Sequence, residues 1–387
     1  MSKWLVSIIA FTIICITLLF INDEQSSEKT TNVSVQPLVV TSETLPKIAI
    51  QEVVKKSADA KIIDNRRPLE IVEGQEEHYI VECEPELLPE LLPETKQEEQ
   101  IRQSYVQSLS SSSLPSKQLA YALFSVPPDD KSRLDLLSSF NGRFPHNSIV
   151  LMEMINLCTA SLTHPACNQT LLENATDIDG NNGALWYQIA NYHAASGNEL
   201  ATLNAMREVT KSTHFNERFF SDIEVYMQAL KGSGVGNHIS NRSTAIGINA
   251  AKPMNVSAIV KFCRQKESYD DITANLCLEL GQLLEVQAKT LFNSHIGIAL
   301  QDFVHLAEHN EDALKDNKHK KDKLRKEAFT KQFNKAMTLT WLDENLYWYL
   351  VKVRERFGEK EAANLLVKEA ISRSQREDYD PCPTTNR

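Results

Sequence analysis

Glycine is scarce in this chain, at 12 of 387 residues, and proline numbers only 14. So few turn-forming residues argue against a β-rich fold, which needs many tight turns. Net positive charge is missing too. At a formal charge of −10 the chain lacks the basic face that a nucleic-acid backbone requires, and no nucleic-acid partner is expected. A Gly-rich phosphate loop, a nucleophile elbow and a CxxC pair are all absent from the sequence. No catalytic residue, metal site or cofactor is therefore expected.

Long apolar runs are absent with one exception. Trp4 to Ile21 carries no charge, follows Lys3 and ends before Asn22-Asp23-Glu24. A bilayer core needs roughly 20 apolar residues, and this run approaches that length. It is expected to be a transmembrane signal anchor over residues 4–21, with residues 1–3 in the cytosol by the positive-inside rule. A cleaved signal peptide is the rival reading, but Leu18-Leu19-Phe20-Ile21 offers no small-x-small cleavage site. Either reading places the body outside the cytosol, in a bacterium facing the periplasm.

Cysteine usage points the same way. Beyond Cys15, within the apolar run, stand Cys83, Cys158, Cys167, Cys263, Cys277 and Cys382, an even number, which outside the cytosol favours disulfides. Local closure of Cys158 with Cys167 and of Cys263 with Cys277 is the simplest pairing. Sequence does not choose among the possibilities.

Residues 22–100 are rich in Ser, Thr, Glu, Gln and Pro and include Pro85-Glu86-Leu87-Leu88-Pro89-Glu90. Such composition buries too little apolar area to offset ordering entropy, so a disordered acidic spacer is expected. Within it, His78 to Val81 reads as an edge strand or a docked peptide. From residue 101 helical periodicity dominates. Lys231-Gly232-Ser233-Gly234-Val235-Gly236 and the stretch on to residue 255 read as a flexible linker between helical subdomains at 101–230 and 256–375, with a tail at 376–387.

One unit repeats. Its first helix carries Trp186, Ile189 and Ala190, Gly197 separates it from a second helix through Ala201, Ala205 and Val209, and the turn Ala175 to Asn182 precedes it. This pattern resembles the tetratricopeptide repeat. The resemblance is best over 148–216 and weaker over 343–374, where Gly358-Glu359 lies between Tyr347, Leu350, Val351 and Ala362, Ala363, Leu366. It implies an all-α fold of antiparallel helical hairpins stacked as a solenoid. It also implies a protein or peptide partner on the first helices, with Gln188, Asn191 and His193 as exposed contact positions.

Other clusters take blander readings. Asp177, Asp179 and Asn181 are spaced like the opening of a calcium loop, but Asn182 and Gln188 stand where glycine and an acid are required, so they read as the inter-repeat turn. His305, Glu308 and His309 lack a further ligand. The cations between Lys315 and Lys335 read as the solvated face of an amphipathic helix, with a membrane surface or an acidic partner as the rival. The function expected is a membrane-anchored, exported scaffold for protein or peptide, in envelope assembly. Two alternatives remain: a type II membrane enzyme acting on glycans or exported polypeptides, and a structural subunit of an envelope complex.

Overall fold

A glycine-poor chain must start and stop its helices by other means, and this one uses polar caps. In a computed structural model, residues 79–83, 95–252, 255–264, 270–328 and 330–382 are described. The expected anchor and most of the expected spacer lie outside them. Among the described residues the regular structure is all helical, and no helix is long and apolar enough to cross a membrane. The helices are α1 (Lys96–Ser108), α2 (Pro115–Phe124), α3 (Arg133–Arg143), α4 (Ser148–Cys158), α5 (Gln169–Asp179), α6 (Gly183–Ala195), α7 (Glu199–Lys211) and α8 (Phe219–Leu230). They continue as α9 (His238–Ala250), α10 (Ser257–Arg264), α11 (Asp271–Gln287), α12 (Leu291–Ala307), α13 (Glu311–Ala328), α14 (Lys331–Leu342) and α15 (Glu344–Ser374).

Asn147, Asn168, Asn182, Asn198 and Asn237 each accept a backbone N–H of the helix they begin. Thr95 with Glu98, and Ser132 with Asp135, form reciprocal capping boxes. Each such cap contributes about 1 kcal/mol by satisfying donors that the helix start leaves free. Glycine is kept for the places where a side chain cannot go. Gly197 ends the α6–α7 turn at φ 73°. Gly358, at φ 82°, interrupts α15 with its Cα against the Lys289 backbone. The chain turns back there, because Arg373 Nη1 reaches Asp343 Oδ2 at 2.8 Å.

Neighbouring helices pack in order from α1 to α7 and from α11 to α13, α14 packs on α15, and α13 also reaches α15. Contacts distant in sequence then fold this array on itself. α8 returns to α2, α10 lies on α6 and α12, and α11 lies on α7. One large apolar cluster runs from Val106 to Val351, and a smaller one joins Ile80 to Leu339, Leu346, Leu366 and Ala370. At the α11–α12 crossing Gly281 faces Gly297 so closely that a Cβ on Gly297 would lie 2.5 Å from the Gly281 carbonyl oxygen.

Two boundaries differ from the sequence expectation, and within the expected spacer the docked-peptide reading of the apolar stretch ending at Val81 agrees with the structure. The stretch 231–255 is not a linker throughout: it holds α9, whose Asn241, Arg242 and Ala245 are buried. Its glycines occupy only the turn before the Asn237 cap, which is why composition alone misleads there. Within the expected spacer, Thr95 already caps α1. Residues 79–83 dock on the C-terminal hairpin without regular structure, Ile80 being 1% exposed and Val81 N donating to Ser374 Oγ at 3.0 Å.

Six cysteines form three disulfides: Cys83–Cys382, Cys158–Cys167 and Cys263–Cys277. The second clips the α4–α5 turn and the third ties α10 to α11. The first holds the docked 79–83 segment against the chain's other end. Replacing both Cys83 and Cys382 with serine is expected to lower the unfolding free energy by about 2–4 kcal/mol, measured by denaturant titration. An unchanged midpoint would show that Ile80 and its neighbours hold the segment unaided.

Candidate functional site

The first surface to consider is the one that repeat logic nominates, the exposed face of α6. It is covered. α10 lays Ile259 and Cys263, both fully buried, onto α6, and Ile259 N donates to Asn191 Oδ1 at 2.9 Å. Asn191 is therefore buried rather than exposed, and Gln188 and His193 are half-buried. As exposed contact positions these three are corrected: an amphipathic helix of the same chain fills the place expected for a partner. Burial lowers the His193 pKa, so its ring is neutral near pH 7.

The repeat-structural residues take defined places. Ile189 and Ala190 are buried, and Trp186 is half-buried with Nε1 donating to the Gly180 carbonyl at 2.8 Å. Thr202 is fully buried because its hydroxyl donates to the Asn198 carbonyl at 2.8 Å. The turn before α6 is anchored by Asn182, which is fully buried. Its amide donates to Asp179 Oδ2 and the Asn216 carbonyl, and its Oδ1 accepts from Ala184 N and Asn216 N. Asp179 also pairs with Arg218 at 3.0 Å. Of the residues that look like a calcium loop, Asp179 and the Asn181 carbonyl, which accepts from Thr213 N at 3.1 Å, thus fasten the α7–α8 connector, and no group of acids, histidines or cysteines among the described residues is arranged to hold a metal ion.

That connector forms one wall of an open cleft of about 410 Å³. His214, Phe215 and Asn216 meet Val286 to Lys289, at the end of α11, and Glu355, Arg356 and Phe357, just before the break in α15. Val286 is 80% exposed and Phe357 46% exposed, so two large apolar side chains line the same cleft. Cations flank them. The Arg356 guanidinium lies 5.0 Å from the Phe357 ring centre, and Lys289 Nζ donates to the Arg356 carbonyl at 2.8 Å. Glu355 is engaged by the Ser221 hydroxyl at 2.8 Å.

The floor of the cleft is stiff. Below Lys289 the Glu217 carboxylate accepts from Lys289 N at 2.6 Å, Thr290 Oγ1 at 2.7 Å and Asn293 Nδ2 at 2.6 Å, capping α12. Burial pushes the Glu217 pKa up, and these donors pull it back only in part. Glu359 caps the same helix end by accepting from Leu291 N at 2.7 Å. Two carboxylates at one helix N-terminus suit its dipole. No family model matches the chain, nor does any curated protein or solved structure.

Two further charged clusters are structural. Lys252, Asp222 and Glu153 meet in the interior, Nζ lying 2.6 Å from Asp222 and 3.8 Å from Glu153. Burial, more than the neighbouring Glu153, raises the Asp222 pKa to about 6 against the pull of Lys252. The basic helix α13 turns lysines inward: Lys320 pairs with Glu285 at 3.0 Å and Lys321 with Asp302 at 2.5 Å. Lys335, on α14, pairs with Glu82 of the docked segment. Lys320, Lys321 and Lys335 of the cation-rich stretch are therefore engaged by the chain itself.

Sequence reasoning missed the cleft because its walls come from three connections far apart in the chain. The only local signal was Val286, an apolar residue next to Gln287 at a helix end.

Proposed function

We propose that this protein is a peptide-binding helical scaffold, carried by an N-terminal membrane anchor with its helical body outside the cytosol, where it takes part in envelope assembly. On this reading the α6–α7 hairpin is a tetratricopeptide-like unit within a stack of hairpins, though α10 rather than a partner lies on its first helix. Three cystines support an oxidising compartment. One observation carries the binding role: exposed Val286 and Phe357 sit beside Lys289 and Arg356 in a cleft with a rigid floor. The complementary occupant is an extended partner segment with an apolar side chain next to an acidic one.

The test places a photo-crosslinking residue at position 286, with exposed Leu200 on α7 as control, in native membranes. A defined partner is expected from 286 and not from 200. Phe357→Glu is then expected to weaken that partner's binding at least about tenfold, because burying a phenylalanine is worth about 1.5–3 kcal/mol. Undiminished binding by Phe357→Glu, or the same products from both crosslinking positions, would sink the cleft as the site. Residues 4–21 are tested separately by fusing a reporter active only outside the cytosol after residue 387.

A further inference from the structure

Residues 79–83 are held on the C-terminal hairpin by few noncovalent contacts. Ile80 is the one buried member of the smaller apolar cluster that comes from neither α14 nor α15. Beside it, Val81 N donates to Ser374 Oγ at 3.0 Å, and Glu82, whose side chain is 61% exposed, pairs with Lys335. The hairpin does not rely on the segment in return. Ser374 Oγ donates to the Ala370 carbonyl at 2.8 Å, Arg373 ties α15 back to Asp343, and Tyr379 Oη donates to Asp343 at 2.9 Å, which fixes the tail carrying Cys382. One isoleucine, one hydrogen bond and a screened ion pair do not offset the backbone entropy of ordering residues 79–83. The Cys83–Cys382 bond tips that balance.

The three disulfides differ in access. Cys263 and Cys277 are fully buried and Cys158 is 1% exposed, whereas Cys83 and Cys382 are both half-buried and lie outside helices. An attacking thiolate must reach a sulfur, so exchange follows access. They differ in reversibility as well. Packed helices keep Cys158 near Cys167 and Cys263 near Cys277 after opening, at high effective concentration, while Cys83 leaves with its segment.

We propose that Cys83–Cys382 is a thiol-controlled latch: a dithiol reductant opens it, residues 79–83 leave the hairpin, and the helical body stays folded. One thiolate of the reductant attacks one cysteine sulfur, and the S–S bond breaks as a mixed disulfide forms. The other cysteine departs as a thiolate and takes a proton. The reductant's second thiolate then displaces the remaining cysteine, which is protonated in turn. The reductant ends as an intramolecular disulfide, having supplied two electrons and two protons. Closed, the latch joins the chain before residue 79 to the hairpin. Open, it moves that junction to Thr95, the cap of α1, and residues 79–94 add up to about 50 Å of reach. The latch does not depend on the peptide cleft.

The test treats the oxidised full chain with dithiothreitol, alkylates thiols at timed intervals and assigns them by mass spectrometry. Cys83 and Cys382 are expected to become free at least about tenfold faster than the other four. Hydrogen exchange at that point is expected to be at least about tenfold faster at the Val81 amide, with α14 and α15 as protected as before. Cys83→Ser with Cys382→Ser is expected to reproduce that pattern without reductant. If either other disulfide opens as fast, the proposal is overturned. Val81 protection that survives reduction overturns it too, since the segment would then hold unaided. So does loss of protection throughout α14 and α15, which would make the bond a clamp on the fold.

Discussion

Replacing Lys252 with methionine is expected to lower the unfolding free energy by about 3–5 kcal/mol near neutral pH, since it leaves two interior carboxylates without their cation. The side chains of Lys252, Asp222 and Glu153 are only 14%, 9% and 13% exposed, so solvent does little to screen the loss. The deficit should depend on pH. In the wild type Asp222 binds its proton more tightly folded, near pH 6, than unfolded, so its contribution falls as pH rises from about 4 to about 6 and is level above. Without Lys252 the folded pKa climbs further and that fall extends to higher pH. Urea titrations at about pH 5 and about pH 8 should therefore show a smaller deficit at the acid value. A deficit equal at both would assign the loss to the contact of Lys252 Nζ with the Phe124 ring, whose centre lies 5.2 Å away, rather than to the carboxylate pairing.

The second large effect concerns the α11–α12 crossing. A Cβ at position 297 would meet the Gly281 carbonyl at 2.5 Å, the Glu285 nitrogen at 2.6 Å and Leu284 Cβ at 2.8 Å. Two of those atoms are backbone and cannot swing away. Gly297→Ala must separate the helices, at a cost of about 2–3 kcal/mol or more. Gly142 in α3, with nothing within 4 Å of its Cβ position, is the control. There alanine is expected to stabilise by about 0.4–1 kcal/mol. Thermal unfolding of the two variants reads the contrast, and equal shifts would mean that helix propensity alone governs both positions.

Helices were legible in the sequence because their causes are local. A cap and the residue it bonds lie within three positions, and apolar spacing marks the buried stripe, so α6, Gly197 and α7 can be placed from the chain alone. Proximity in sequence likewise singles out Cys158 with Cys167 and Cys263 with Cys277, while Cys83 with Cys382 has no local signature. What meets what is different. Nothing between Ser257 and Arg264 says that this short helix covers α6, so Asn191 reads as a contact residue when it is a buried acceptor for Ile259. Gly281 and Gly297 look like weak points of two helices until the helices are crossed. The glycines before Asn237 resemble a linker until they are seen to close a turn against α9. The candidate cleft joins residues from three connections, and no window along the chain contains them together.

The Cys83–Cys382 bond makes the helical body a covalently closed ring, 299 residues around by sequence separation. Tension applied between a point before residue 83 and one after residue 382 crosses a single sulfur–sulfur link and bypasses every helix from α1 to α15. A body tethered through its N-terminal segment and pulled from its C-terminus would keep its fold under load. Reduction alone would put that load onto the helices.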